Sequence, residues 1–123
     1  METAHIYVTG GGNPHTRLGS ARVLIEQVGR KTPIVFNYKD TTYKRSQIQG
    51  MIDAVLQLDG PHHVIFISAS PLALQKAEAG EGPNRDLIYD LYRVVSAKGC
   101  THAFDFRVGQ GKEINKLLSE HNV

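Results

Sequence analysis

Tyr43-Lys44-Arg45-Ser46-Gln47-Ile48-Gln49-Gly50-Met51-Ile52-Asp53-Ala54-Val55-Leu56-Gln57-Leu58 is the stretch on which the fold turns. Its apolar residues Ile48, Met51, Ile52, Val55 and Leu58 recur at helical intervals and form one face of an amphipathic helix. Thr41 or Thr42 can cap the start, and Asp59-Gly60-Pro61 stops it. Gly50 inside the helix costs roughly 1 kcal/mol against alanine. A close approach of the helix to a sheet would explain its presence.

On the N-terminal side of this helix the pattern is extended. His5–Thr9 is a short β-prone run that ends in the loop signal Gly10-Gly11-Gly12-Asn13-Pro14. Ser20–Val28 is a second apolar run, and Gly29-Arg30-Lys31 turns it into a third, Thr32–Tyr38. The short spacing makes this a hairpin or meander, hence antiparallel. A phosphate cradle at Gly10–Gly12 would need a helix directly after the glycines. A strand follows instead, so the run reads as a turn serving the strand end.

On the C-terminal side, strands and helices alternate. His63–Ser68 is nearly all apolar, as expected of a central strand covered on both faces. Pro71–Ala77 reads as a short helix with Pro71 in its first turn, and Glu78–Pro83 as a loop. Asn84–Lys98 places Leu87, Ile88, Leu91, Val94 and Val95 on one helix face, with Asn84 as cap and Gly99 as stop. Thr101–Val108 alternates like a strand, and Lys112–His121 closes with a helix carrying Ile114, Leu117 and Leu118. A meander followed by strand–helix alternation implies an α/β fold, a mixed sheet with helices on its faces.

The bulk properties bound the function. A chain of 123 residues with 41% hydrophobic and 21% charged residues fits a single globular domain over 1–123. The net charge of +2 permits a nucleic-acid partner without requiring one. The single cysteine, Cys100, excludes an internal disulfide and leans towards a reducing compartment. No apolar run reaches membrane-spanning length and no signal-peptide pattern opens the chain, so the expectation is an intracellular protein, cytoplasmic or nuclear, without a membrane partner. His62 and His63 are adjacent at a strand start and point to opposite faces, so they do not share an ion. His5, His15, His102 and His121 show no ligand spacing. No metal or other cofactor is expected.

Several local motifs resemble the ribonuclease H family, in order and across nearly the whole chain. Ile6-Tyr7-Val8-Thr9-Gly10-Gly11, followed by Gly12-Asn13-Pro14, is similar to the family's first strand and its Gly-Asn-Pro loop. Thr41-Thr42-Tyr43-Lys44-Arg45-Ser46-Gln47-Ile48 resembles the segment that opens the family's first helix. Ile67-Ser68-Ala69-Ser70, Asn84-Arg85-Asp86-Leu87, Phe104–Gln110 and Asn115–Ser119 fall where the family has its fourth strand end, a later helix start, its last strand and its closing helix. Pattern and resemblance together predict a ribonuclease H-like, five-stranded mixed sheet with helices on both faces. The first three strands are antiparallel, the last two run parallel to the first, and Val64–Ile67 lies beside Ile6–Val8.

The resemblance also implies where the chemistry should be. The family holds two metal ions between carboxylates, and divalent ions need several negative oxygens to bind and to activate water. The matching positions here are Thr9, Gln47, Ala69 and Ser119, and the family's loop histidine is Gln110. A shift of register does not restore the first-strand acid, because Glu26 is the sole Asp or Glu between Ala4 and Gln27. Asp40, Asp53, Asp105 and Glu120 are the acids nearest the other positions, and none falls in register.

The expectation is therefore a catalytically inactive ribonuclease H-like module, of the kind found in retroelement polyproteins and large nucleic-acid machines. It would bind a duplex or RNA/DNA hybrid through the backbone, or tether other domains of a larger assembly. In active relatives the helix-opening segment contacts the nucleic-acid backbone, which makes Thr42, Tyr43, Lys44 and Arg45 the binding candidates, with Asn13 on the neighbouring loop. Lysine and arginine supply phosphate affinity, and a tyrosine stacks on bases or sugars. A plain solvated helix start is the competing reading of the segment. Two alternatives to the whole reading are a divergent metal-dependent nuclease with relocated ligands and a protein–protein module pairing through an edge strand.

Overall fold

The computed structural model describes the whole chain, Met1–Val123. Three strands come first: β1 Thr3–Gly12, β2 Gly19–Gln27 and β3 Arg30–Tyr38. Helix α1 spans Tyr43–Leu56, followed by β4 His63–Ser68, the short α2 Leu74–Glu78, α3 Arg85–Ala97, β5 Thr101–Phe106 and α4 Gly111–Glu120. The sheet order is β3-β2-β1-β4-β5. β1 pairs antiparallel with β2, and β2 with β3. β4 lies parallel to β1, with Ile6 opposite Phe66, and β5 parallel to β4. The expected mixed sheet is present, with Val64–Ile67 inside it.

Alternation along the strands divides the core in two. Ala4, Ile6 and Val8 of β1, Ala21, Val23 and Ile25 of β2, and Val64 and Phe66 of β4 meet Met51, Ala54 and Val55 of α1 and Leu91 and Val95 of α3. On the opposite face Leu24 and Ile67 meet Ile114 and Leu118 of α4. Helices thus cover both faces, and the continuous apolar run of β4 is what burial on two sides requires. Phe66 is fully buried and stacks on Phe104 at 5.3 Å.

Four local expectations are corrected. β1 does not end at Thr9 but continues through Gly12, with Gly10 opposite Ala21 and Gly12 opposite Gly19. The cause is tertiary: a Cβ on Gly10 would lie 2.2 Å from the Tyr43 carbonyl oxygen and 2.8 Å from the Gln47 nitrogen. Gly10 and Gly12 leave the strand bare where the start of α1 lies on it. The actual turn is at Asn13, whose Oδ1 accepts from the backbone N–H of His15 at 2.8 Å and of Thr16 at 3.3 Å. Second, α2 starts at Leu74 and leaves Pro71 outside, because the Leu74 N–H turns back to the Leu72 carbonyl at 2.8 Å. Third, Asn84 stands at the start of α3 but makes no capping hydrogen bond, its Oδ1 being taken by Arg45 Nη1 at 3.4 Å. Fourth, β5 stops at Phe106, where the pairing with β4 runs out at Ser68.

Gly50 behaves as anticipated. A Cβ there would come within 2.4 Å of the Ala21 Cβ, so the glycine lets α1 settle on β2. No helix is long and apolar enough to cross a membrane.

Candidate nucleic-acid interface

Because β1 and β4 are parallel, their C-terminal ends lie on the same side of the sheet. Thr9 is near one of these ends and Ala69 follows the other. Gln47, on the second turn of α1, sits over Gly10 of β1. It is buried, and its Nε2 donates to the Ser70 carbonyl at 2.9 Å, tying α1 to the loop after β4. Ala69 packs at the edge of the α4 cluster, with Gly111 at the start of α4 close by. Gln110 is exposed before α4 and caps nothing with its side chain. Ser119 is exposed one helical turn after Asn115.

A residue that the sequence reading did not single out occupies this junction. Arg22 on β2 is the cross-strand partner of Thr9. Its guanidinium donates to Asn115 Oδ1 on α4 and to the main-chain oxygen of Val123 at 3.2 Å. Ser119 follows Asn115 by one turn and so faces the side of α4 that Arg22 reaches. The Thr9 hydroxyl is buried and has no hydrogen-bond partner.

This donor set does not fit a pair of divalent ions. Thr9 and Ser119 offer neutral hydroxyls, Gln47 spends its amide nitrogen on Ser70, Ala69 offers a methyl, and Arg22 brings a fixed positive charge. Hard divalent cations need several anionic oxygens in one place. Nowhere do three or more His, Cys, Asp or Glu side chains come together as a metal site would need. Of the four nearest acids two are engaged: Asp105 pairs with Arg107 at 3.0 Å, and Asp53 accepts from the Tyr38 hydroxyl at 2.6 Å. Burial first, and then Asp53, push the Tyr38 phenol far above its ordinary range, so this contact stays a neutral donor to a carboxylate.

The start of α1 is the second part of the interface. Thr42 is its N-cap, in extended conformation, and its hydroxyl accepts from the Arg45 N–H at 3.2 Å. Thr41 is buried and shares a hydrogen bond with Gln49 Oε1 at 2.8 Å, so only one of the two threonines caps. Tyr43 is 46% exposed, and Lys44 is exposed with no carboxylate partner. The Asn13 turn lies alongside, where the Thr41 N–H bonds the Arg17 carbonyl at 3.0 Å.

Arg45 is placed differently from its neighbours. Its two terminal nitrogens meet both oxygens of Asp86 on α3, at 3.0 and 2.8 Å, and Nη1 also reaches the Pro83 carbonyl at 3.3 Å. Hydrogen bonding to Arg45 holds the Asp86 carboxyl below its ordinary range, and the same bonds raise the Arg45 guanidinium. The structure therefore brings Thr42, Tyr43, Lys44 and Asn13 together at the surface and ties Arg45 into the fold. Of the residues missed, Arg22 is a charge inside an apolar strand, a visible anomaly. Asp86 pairs with a residue 41 positions away and leaves no local signal.

No protein-family model matches the sequence, and no curated protein matches it.

Proposed function

We propose that this chain is a ribonuclease H-like domain without a metal centre, which holds a nucleic-acid duplex or RNA/DNA hybrid by its backbone, within a larger assembly. The observation that carries the reading is the junction of β1, β4, α1 and α4. There the positions that hold metal ligands in the family it resembles carry neutral groups, and the Arg22 guanidinium lies beside Thr9. Removing carboxylates from a groove removes repulsion against phosphates, and a guanidinium there adds attraction. Tyr43 and Lys44, exposed on the first turn of α1, supply a stacking surface and a free ammonium beside it. The sheet order and the parallel β1–β4 pair support the family reading at the level of topology.

The test is duplex affinity across a salt series for the parent and for Lys44→Ala. Loss of one phosphate contact flattens the slope of log affinity against log salt by about one unit, without sequence dependence. Identical slopes would reduce the segment to a solvated helix start, and no binding at low salt would favour a protein–protein module. The same preparation should not cleave the RNA strand of a hybrid with magnesium or manganese. Cleavage that disappears on neutralising Asp40 or Asp105 would reveal a relocated site.

A further inference from the structure

A cavity of about 210 Å³ opens between the start of α1, the segment around α2 and the start of α3. Its floor is apolar: Ile48 and Ile88 are fully or almost fully buried and Leu72 packs against them. Its rim carries Lys44, Lys76 and Arg85 against a single carboxylate, Glu81. None of the three cations is in an ion pair within the protein. Arg85 donates to the Gly80 carbonyl at 2.8 Å, which fixes its stem beside the opening without neutralising it. The walls are held in place: the Tyr89 hydroxyl of α3 donates to the Ala77 carbonyl of α2, and the Glu81 N–H bonds the Lys76 carbonyl at 2.8 Å.

Three unpaired cations against one carboxylate, over an apolar floor, select a ligand with the same division, a small apolar body carrying an anion. The cavity is smaller than the 300–1,000 Å³ usual for drug-sized sites, so it admits one ring system and leaves a charged group at the rim. We propose that it binds a nucleoside 5′-monophosphate group, with the base against Ile48, Leu72 and Ile88 and the phosphate among Lys44, Lys76 and Arg85. The choice of a nucleotide over other amphipathic anions rests on the duplex-binding reading, because Lys44 belongs to both surfaces. The group has two sources, a free mononucleotide or the 5′-terminal nucleotide of a strand held on the adjoining face.

The full chain is titrated with adenosine 5′-monophosphate, adenosine and inorganic phosphate, followed by backbone amide shifts at Ala77 and Ile88. The monophosphate should bind about tenfold or more tighter than either fragment. Lys76→Ala with Arg85→Ala should weaken the monophosphate about tenfold and leave adenosine unchanged; both residues are exposed, so the fold is not at risk. Inorganic phosphate binding as tightly as the monophosphate would overturn the proposal, as would shifts that bypass Ala77 and Ile88. A short single strand with a 5′-phosphate, compared with its 5′-hydroxyl form, distinguishes the sources: preference for the phosphate points to a strand end, and equal affinity to a free nucleotide. Monophosphate binding without duplex binding would sink the duplex reading alone. Duplex binding without monophosphate binding would sink the pocket alone.

Discussion

Two arginines each join a helix to the rest of the fold, and they do it with different kinds of partner. Arg45 links α1 to α3 through both oxygens of Asp86, so its charge is cancelled where it is used. Arg22 links β2 to α4 through the amide oxygen Asn115 Oδ1 and the main-chain oxygen of Val123, with no side-chain carboxylate in contact. Both contacts orient helices, but only the first sets the guanidinium against a side-chain carboxylate. The family resemblance implies a nucleic-acid contact at Arg45, whose guanidinium is here paired with Asp86.

The largest expected effect tests the Arg22 side of this contrast. Thr9→Asp, Gln47→Glu, Ala69→Asp and Ser119→Asp together restore acids at the junction, but they also surround a resident guanidinium. Carboxylates near an arginine pair with it before they bind a divalent ion. The quadruple variant should therefore bind manganese weakly, and adding Arg22→Met should raise the affinity by about two orders of magnitude, roughly 2.7 kcal/mol. Calorimetric titration with manganese checks both. Equal affinity with and without Arg22 would show that the arginine does not control the junction.

A smaller effect follows from Arg22→Met alone. It removes the charged donor's hydrogen bonds to Asn115 Oδ1 and the Val123 main-chain oxygen, with a combined cost of about 1–3 kcal/mol for a partly exposed pair. Because α4 makes few other contacts with β1 and β2, the loss should concentrate there. Amide hydrogen exchange should quicken along Ile114–Leu118 and stay unchanged in α1. Uniform acceleration across both helices would instead mean that Arg22 supports the whole sheet.

Much of the frame within which these arginines sit was legible in the sequence. The meander was readable because β-branched runs are separated by a tight turn, and β4 because its apolar residues are nearly continuous. Gly50 was readable because a glycine in mid-helix needs a reason, and contact with Ala21 is that reason. What escaped depends on contacts distant in the chain. The Gly10–Gly12 run looks like a loop in isolation and becomes a strand only because α1 rests on it. Pro71 suits a first helical turn, yet the tight turn at Leu72 delays the helix. For the site, Gln47 lies over Gly10, next to Thr9, and bonds the loop that follows Ala69, whereas the engagement of Arg45 could not be read. Nothing near Asp86 distinguishes it from an ordinary acid in a helix's first turn, where it also suits the helix dipole.

Asp86→Asn is the smallest perturbation and the one that sharpens the contrast most, since it turns the partner of Arg45 into a neutral one. Asp86 is largely exposed, with 59% of its side chain open to solvent, so the pair is screened and its loss should cost no more than about 1 kcal/mol. The carboxyl is held below its ordinary range by Arg45, so its stabilising contribution is present at neutral pH. It is lost as the pH falls below the ordinary carboxylate range and through the depressed value. The stability gap between parent and variant should therefore be full at pH 7 and close in acid, as measured by denaturant unfolding at several pH values. A gap that persists unchanged in acid would mean that the side chain acts by packing or helix capping instead of charge. In duplex binding the same substitution should act in the opposite direction. Arg45, no longer neutralised, is left without a carboxylate partner, and the affinity should rise with a salt slope steeper by up to about one unit. If the slope does not change, Arg45 lies outside the interface whatever its charge, and the binding surface on α1 narrows to Tyr43 and Lys44.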